Sequence, residues 1–300
     1  MNNGDRLSGI IIKGIAGFYY VKVDEGDIIE CHARGKFRKD KLRPLVGDHT
    51  EIEIVDAEKK IGSIVDIKER SSVLIRPEVA NANQAMVVFA CSHPEPNLGL
   101  LDRFLIMMEK QNVRSVVCFN KTDLADDRLV DNIREIYRDS DVTIIAVSAR
   151  ENSGLEAIHE ALKGKITVLA GPSGVGKSTI TNIIFPEAFM ETGDISAKLD
   201  RGKHTTRHSQ LFQLEEDTYI MDTPGFTSFE LMEGFEAEEI KEYYPEFYKV
   251  EESCRFDSCS HTHEPGCKIK AAVESGAINK IRYDGYCNIY EEIKNRRKYK

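Results

Sequence analysis

One short segment, residues 166–178, constrains the fold of this chain most strongly. Ile166–Ala170 is an apolar run rich in β-branched side chains, which is typical of a buried parallel strand. It leads directly into GPSGVGKS, residues 171–178, which matches the phosphate-loop pattern G-x-x-x-x-G-K-[ST] in full. Glycines let backbone N–H groups face a phosphate, and the helix predicted over Thr179–Phe185 directs its positive end at the same anion. Strand, loop and helix in this order predict a nucleotide site in an α/β domain.

The phosphate loop is expected to supply most of the nucleotide contacts. Lys177 is predicted to reach the β- and γ-phosphates and to act in catalysis, and the Ser178 hydroxyl is predicted to bind Mg²⁺. The alternative is a chance glycine-rich turn, which the flanking strand and helix disfavour. The predicted loop contacts are Gly171, Pro172, Ser173, Gly174, Val175, Gly176, Lys177, Ser178 and Thr179.

The first 71 residues are predicted to form a small β-barrel. Five short strands bounded by Gly, Asp or charged clusters suit an OB-fold, whose loops often bind RNA, and an SH3-like barrel would give a similar pattern. The predicted strands are Gly9–Lys13, Phe18–Val23, Ile28–Ala33, Asp48–Val55 and Ile61–Ile67.

Two clusters of basic residues stand out against a net charge of −9. The loop between the third and fourth strands carries six positive charges against the single negative charge of Asp40, and the C-terminal tail carries five more. Such clusters are candidate contacts to an RNA backbone, although solvated loops have the same composition. The predicted RNA-binding residues are Arg34, Lys36, Arg38, Lys39, Lys41 and Arg43 in the loop and Arg296, Arg297 and Lys298 in the tail.

From residue 72 the pattern changes to alternating strands and helices. This alternation predicts a parallel sheet that binds its ligand at the carboxyl ends of the strands. The predicted strands are Ala85–Ala90, Ser115–Phe119, Val142–Val147, Ile166–Ala170 and Thr218–Met221, and the predicted helices are Leu100–Gln111, Asp127–Arg138 and Gly154–Leu162.

Two segments that directly follow predicted strands resemble the guanine-binding motifs of GTPases. The first is the sequence NKTD at residues 120–123, in which Asp123 can accept hydrogen bonds from guanine N1–H and its 2-amino group. Adenine lacks this donor pair, so the motif favours guanine, although a helix N-cap is the alternative role for Asp123. The second is SAR at residues 148–150. The predicted guanine contacts are Asn120, Lys121, Asp123, Ser148 and Ala149.

The sequence DTPG at residues 222–225 resembles the D-x-x-G switch of a GTPase. In that switch the aspartate binds Mg²⁺ through water and the glycine N–H contacts the γ-phosphate, which predicts these roles for Asp222 and Gly225. Thr205 and Thr206 stand where a GTPase has its mobile Mg²⁺-binding threonine, and the residues alone do not decide between them.

The residue that positions the attacking water is not evident from the motifs. Phe226 stands where Ras-like enzymes have a glutamine, and phenylalanine cannot orient water. His204 and His208 are the predicted candidates, with an exposed loop as the alternative reading of both. The NKTD and SAR motifs precede the phosphate loop, whereas ordinary GTPases have the opposite order. The α/β domain, predicted over residues 72–228, is therefore expected to be circularly permuted.

Residues 229–300 are predicted to form a third, mainly α-helical domain around a metal site. The pattern C-x4-C-x-H-x5-C suits a closed tetrahedral zinc site with a structural role, and clustered free thiols are the alternative. The predicted ligands are Cys254, Cys259, His261 and Cys267, with His263 as a rival, and the predicted helices are Phe235–Phe247, Ile269–Ser275 and Tyr283–Lys294.

Composition favours a cytoplasmic protein. No apolar run approaches the ~18 residues of a membrane span, and the first residues lack the features of a signal peptide. Four of the seven cysteines are scattered, which favours a reducing compartment. Nothing in the sequence demands a dimer, so a monomer is expected.

Taken together, the motifs resemble the ribosome small-subunit-dependent GTPase A family, RsgA, also called YjeQ or YloQ. The resemblance covers essentially the whole chain and includes RPLVGD at residues 43–48 and LDR at residues 101–103. It implies a GTPase that binds the 30S subunit and its 16S rRNA late in maturation and hydrolyses GTP when the subunit stimulates it. A GTP-dependent rRNA-binding checkpoint with negligible turnover is the alternative. One zinc ion and Mg²⁺ with GTP are the implied cofactors.

Overall fold

The chain forms two compact units in a computed structural model that describes residues 1–35, 37, 42–75, 78–126, 128–185, 210–222, 234–250 and 254–296. The first unit comprises Met1–Met86, Glu156–Ala170 and Lys177–Phe226, and the second comprises Val87–Leu155, Gly171–Gly176 and Thr227–Lys300. The domain boundaries predicted from the sequence stay predictions.

The elements follow the chain in this order. The strands are β1 (Arg6–Ile15), β2 (Phe18–Val23), β3 (Ile28–Ala33), β4 (His49–Asp56), β5 (Ile61–Ile67), β6 (Val73–Ile75), β7 (Glu78–Ala80), β8 (Gln84–Ala90), β9 (Arg114–Asn120), β10 (Thr143–Ala146), β11 (Ile166–Ala170), β12 (Gln210–Glu215) and β13 (Thr218–Asp222). The α-helices are α1 (Leu98–Lys110), α2 (Leu129–Ile136), α3 (Leu155–Leu162), α4 (Lys177–Ile184), α5 (Pro245–Tyr248), α6 (Lys268–Glu274) and α7 (Lys280–Arg296), and 3₁₀ helices span Thr122–Leu124 and Ala237–Tyr243.

The first five strands form the predicted barrel. Their order is β1–β2–β3–β5–β4, and β4 pairs with β1, so the sheet closes on itself. Neighbouring strands are antiparallel except β3 and β5, which run parallel. Alternate side chains fill the interior, where Ile11, Val21, Ile29, Ile52 and Ile64 are fully buried. The five-stranded barrel predicted from the sequence is confirmed.

The first unit also contains the strand that precedes the phosphate loop. There β11 and β13 run parallel, β12 and β13 run antiparallel, and β12 meets β1 of the barrel at Gln210 and Lys13. The hairpin of β6 and β7 was not predicted, because strands of three residues are too short to show a period-two pattern.

The second unit contains the strands that carry the NKTD and SAR motifs. The order is β10–β9–β8, with β9 and β10 parallel, and the chain passes from the first unit into the second within β8. Phe89 of β8 and Phe119 of β9 are buried and stack with their ring centroids 5.9 Å apart. The NKTD motif therefore begins at the last residue of the buried strand β9, and the SAR motif begins two residues after the partly buried strand β10.

One predicted helix is wrong. The sequence predicted a single helix over Phe235–Phe247, but the structure has the 3₁₀ helix Ala237–Tyr243 followed by the short α5. Tyr244 separates them with extended backbone, φ −117° and ψ 90°, because the residue before a proline, here Pro245, disfavours the α conformation. None of the described helices is long and apolar enough to cross a membrane.

A buried ionic cluster anchors α7 on α1. The Arg282 guanidinium is paired with Asp102 and also donates to Glu246 at 2.7 Å, and Tyr137 Oη donates to Asp102 at 2.7 Å. All three charged side chains are almost completely buried. Burial raises the pKa of Asp102, although the charge of Arg282 and the Tyr137 hydroxyl oppose the shift. Such a cluster must stay complete, because a lone buried charge costs several kcal/mol.

Candidate nucleotide site and metal centre

The phosphate loop has the backbone conformation that its glycines allow. Gly171, Gly174 and Gly176 all have positive φ, at 143°, 80° and 93°. A Cβ added to Gly171 would overlap the carbonyl oxygen of Val88, and one added to Gly176 would overlap the side-chain nitrogen Nδ2 of Asn120. Conformation and close packing therefore both require glycine at positions 171 and 176.

The Asn120 side chain holds three motif segments together in the second unit. Its Nδ2 donates to the Val175 carbonyl oxygen at 2.9 Å, and its Oδ1 accepts from the Ala149 N–H at 3.0 Å. The residue is 2% exposed at the end of β9. One amide thus joins the NKTD segment to the phosphate loop and to the SAR segment.

Lys121 lies against the phosphate loop. It has left-handed backbone, φ 63°, and its Nζ donates to the carbonyl oxygens of Gly174 at 2.7 Å and His93 at 2.5 Å. The Lys121 ammonium therefore stabilises the phosphate loop by hydrogen bonds to backbone carbonyl groups. His93 is a contact that the sequence did not indicate, since only its carbonyl oxygen takes part.

The two predicted guanine-binding segments also contact each other directly. Ser148 Oγ donates to Asp123 Oδ1 at 2.6 Å and accepts from the Glu151 N–H at 3.2 Å. Within the described residues, Asp123 Oδ2 has no hydrogen bond to protein, which leaves an acceptor for a ligand. The alternative role of Asp123 as a helix N-cap is wrong, because Lys121 and Arg128 hold the cap positions of the Thr122–Leu124 helix and of α2.

The remaining predicted nucleotide and magnesium residues are described only in part. Lys177, Ser178 and Thr179 lie in the first turn of α4, which begins two residues earlier than predicted. Asp222 is the last residue of β13, where its backbone pairs with Gln210. Five predicted residues lie outside the described part of the chain: His204, Thr205, Thr206, His208 and Gly225.

Three of the predicted RNA-binding residues are described, and all three form ion pairs. Arg34 pairs with Glu53 at 2.6 Å, Arg43 with Glu78 at 3.1 Å, and Arg296 with Glu292 at 2.5 Å. The others lie outside the described residues: Lys36, Arg38, Lys39, Lys41, Arg297 and Lys298.

The four predicted metal ligands form a cluster with the dimensions of a tetrahedral site. Their ligand atoms all lie within 4.8 Å of one another. Cys254 Sγ is 3.6 Å from His261 Nδ1 and 3.9 Å from Cys267 Sγ, and His261 Nδ1 is 3.4 Å from Cys267 Sγ. Tetrahedral zinc, with Zn–S near ~2.3 Å and Zn–N near ~2.0 Å, separates two sulfurs by about 3.8 Å and sulfur from nitrogen by about 3.5 Å. The cluster, completed by Cys259, could therefore hold a metal ion.

The segment from Cys254 to Cys267, which carries the four ligands and is called the metal loop below, contains two histidines that the structure distinguishes. His261 belongs to the cluster, and burial lowers the pKa of its imidazole, which favours the neutral form that a metal ligand needs. His263 is exposed, and its Nε2 lies 3.5 Å from Glu291 Oε1. His263 is thus excluded from the group of clustered ligands.

Helix α7 supports the metal loop through hydrogen bonds to its backbone. Tyr283 Oη donates to the His261 carbonyl oxygen at 2.7 Å, and Tyr286 Oη donates to the Ser260 carbonyl oxygen at 2.6 Å. The sequence did not single out these tyrosines. Their separation of three residues, which places both on one helix face, was the available signal.

Comparison with known proteins identifies the family. The RsgA N-terminal domain model matches residues 8–64, and the RsgA GTPase model matches residues 67–232. The small ribosomal subunit biogenesis GTPase RsgA of Agathobacter rectalis is 48% identical over 98% of this chain and all of that protein. The protein of the same name from Clostridium perfringens, strain ATCC 13124, is 49% identical over 97% of this chain and 99% of that protein.

Two solved structures resemble the whole chain. YjeQ from Thermotoga maritima superposes with a TM-score of 0.83 at 35% identity, covering 96% of this chain and 99% of that one. YloQ, described as a circularly permuted GTPase, superposes with a TM-score of 0.80 at 36% identity, covering 97% and 96%. The permuted order of motifs and the barrel agree with both. The chain therefore belongs to the RsgA GTPase family, with the fold of a circularly permuted GTPase and GTP hydrolysis as its activity.

Proposed function

We propose that this GTPase binds the small, 30S ribosomal subunit and its 16S rRNA during late maturation, and that the subunit stimulates hydrolysis of GTP. The names of the relatives, small ribosomal subunit biogenesis GTPase, support a role in ribosome biogenesis. The protein would act as a monomer in the cytoplasm, where its partner is assembled.

The contacts of Asn120 are the observation that carries the nucleotide site. This buried side chain bonds both the phosphate loop at Val175 and the SAR segment at Ala149, so three motifs separated along the chain belong to one site. Asp123 would accept the two donors of the guanine edge, and the Ala149 segment would contact the base from the other side. Gly171–Gly176 would direct backbone N–H groups at the phosphates.

The chemistry requires charge stabilisation and a positioned water. Lys177 would stabilise the β- and γ-phosphate oxygens, and Ser178 would hold Mg²⁺ with Asp222 and with Thr205 or Thr206. The bound Mg²⁺ would neutralise charge on those oxygens. We assign the positioning of water to His204 or His208, because Phe226 has no group that can hydrogen-bond to water.

The metal cluster would hold one structural zinc ion. Cys254, Cys259, His261 and Cys267 supply four ligands, so no position is left for a reacting water. Zinc bound there would stabilise the loop on which α6 and α7 rest.

The first experiment measures GTP hydrolysis with and without purified 30S subunits, with ATP as the control nucleotide. We expect strong stimulation by the subunit with GTP and none with ATP. Tight GTP binding without stimulation would instead favour the checkpoint role and would overturn subunit-stimulated turnover.

A second experiment addresses the histidines. A His204→Ala, His208→Ala double variant should bind GTP and the 30S subunit normally but should lose the stimulated rate. An unchanged stimulated rate would remove both histidines from the mechanism.

A further inference from the structure

The barrel carries a cavity that the nucleotide site does not use. Its volume is about 330 Å³, which is within the range of small-ligand sites. Tyr19 of β2, His32 of β3 and Phe37 contribute rings to its lining, and Arg34 and Arg43 contribute cations. No acidic residue is among the described residues that line it. The cavity therefore combines aromatic rings with two guanidinium groups.

The rings are held in place by their neighbours. Phe37 is buried in the barrel core, and the Tyr19 ring packs against the same core. The His32 ring lies against the Phe18 ring, with centroids 4.4 Å apart and planes inclined by 53°. His32 is exposed, so its ring, supported by Phe18, is accessible to a flat ligand.

The two arginines are available for an anion. Arg34 and Arg43 stand nine positions apart in sequence, yet both line this one cavity. Their side chains are 44% and 75% exposed, and the side chains of their partners Glu53 and Glu78 are 33% and 55% exposed. Ion pairs at a protein surface contribute little to stability, so a phosphate can replace either carboxylate.

We propose that this cavity binds one unstacked nucleobase of an RNA, with Arg34 and Arg43 holding the phosphates on either side of it. Aromatic side chains that stack on splayed bases beside cations that follow the backbone are the usual means of single-strand recognition by barrels of this type. The inference rests on the proposed function, in which the barrel contacts rRNA, and adds the kind of nucleotide contact that it makes.

The test measures how much a single bulged base contributes to RNA affinity, and whether that contribution depends on the rings of the cavity. Two RNA hairpins serve as probes, one with a single bulged adenosine and one with an abasic residue at the same bulge. The full-length protein should bind the first hairpin roughly tenfold more tightly, as base–aromatic stacking of about 1–3 kcal/mol predicts. His32→Ala and Tyr19→Leu should bind both hairpins equally, and leucine at position 19 preserves packing against the barrel core.

Two sets of variants separate stacking from charge. Arg34→Ala and Arg43→Ala should weaken binding of both hairpins to the same extent. They should also reduce the salt dependence of the binding constant, because they remove phosphate contacts and leave the rings in place. Lys59→Ala, an exposed lysine of the β4–β5 turn outside the cavity, should preserve the preference for the bulged base. Circular dichroism spectra would verify that each variant is folded.

The outcomes distinguish this proposal from the one on which it rests. Equal binding of the two hairpins by the unmodified protein, no binding of either, or an undiminished preference in both ring variants would overturn the cavity proposal. Stimulation of GTP hydrolysis by 30S subunits, measured on the same preparations, tests the proposed function separately. If stimulation occurs without any preference for the base, only the cavity proposal fails.

Discussion

Asn120 shows how a single residue can organise a site. Its amide satisfies one acceptor of the phosphate loop and one donor of the SAR segment, and both partners are buried with it. Because Gly176 leaves room for the Asn120 amide, the two residues depend on each other. The same side chain therefore joins three segments of the fold, and we propose that it also supports nucleotide binding.

Asn120→Ala should lower both stability and nucleotide affinity. The substitution leaves the Val175 carbonyl and the Ala149 N–H without their partner, which costs about 1–3 kcal/mol for buried polar groups. We expect a lower urea midpoint and weak binding of a fluorescent GTP analogue.

The matched control is Asn132→Ala, the same substitution at an exposed position of α2. It should leave GTP binding unchanged and should not reduce stability, since alanine is the better helix former. Unfolding and binding curves for Asn120→Ala that match those of the control would contradict the role given to Asn120.

At the scale of elements, α7 connects the metal loop to the helix α1. Arg282 enters the buried cluster with Asp102, and Tyr283 and Tyr286 hold the loop of His261. Further along the helix, Glu292 pairs with Arg103 of α1, which lowers the pKa of Glu292. The LDR sequence at residues 101–103 thus contributes two ionic contacts to α7.

Gly285→Ala should destabilise the protein although alanine favours helices. A Cβ at this position of α7 would overlap Oδ2 of Asp102, so the buried ion pair with Arg282 would have to shift. Overpacking of this kind costs about 1–3 kcal/mol, which exceeds the ~1 kcal/mol gained in helix propensity. Urea unfolding would measure the difference.

Asn288→Ala provides the control on the same helix. This residue is exposed, so the change should be neutral or slightly stabilising. A Gly285→Ala protein that is more stable than the parent would show that α7 does not approach Asp102 so closely.

The tyrosines of α7 should control how firmly the loop holds its metal. In the Tyr283→Phe, Tyr286→Phe double variant, the carbonyl groups of His261 and Ser260 lose their donors, and the ligands lose part of their orientation. Loss of such supporting contacts typically reduces metal affinity ~10–100-fold. Release of zinc to a coloured chelator would be faster, whereas Tyr290→Phe on the same helix should release it at the parental rate.

At the scale of the whole molecule, the seven cysteines divide by environment. Cys31, Cys91 and Cys118 are buried, and burial raises the pKa of the three thiols to about 12, 11 and 12. Three others belong to the metal cluster, and Cys287 of α7 is half-buried. Because the thiolate is the reactive form, the first group should be inert near neutral pH.

Removal of the metal should expose the thiols of the cluster but not those of Cys31, Cys91 and Cys118. Without a cation, Cys254, Cys259 and Cys267 lose the interaction that holds their loop closed, so the C-terminal helices should lose part of their structure. The three cluster thiols should react with Ellman's reagent after chelation, with Cys287 of α7 as a candidate fourth, together with a fall in helical circular dichroism. Equal reaction rates before and after chelation would argue against a bound metal.

Much of this protein could be predicted because its motifs are local. Residue types at fixed spacing indicated the phosphate loop, the NKTD and SAR segments and the Cys₃His ligand set. Period-two patterns indicated the five barrel strands. The predicted helix over Phe235–Phe247 failed because the break before Pro245 depends on one residue, which the overall apolar pattern obscured.

The sequence by itself therefore determined the class of the fold, the family and the residues of the candidate sites. The tertiary structure decided which of these residues meet. Asn120 and Val175 are 55 positions apart, and Asp102 and Arg282 are 180 apart, so their contacts arise from strand order and helix packing. The choice of His261 over His263, and the cavity shared by Arg34 and Arg43, depend in the same way on where loops place their side chains. Local patterns follow from the geometry of one strand or helix, whereas these contacts depend on the packing of several.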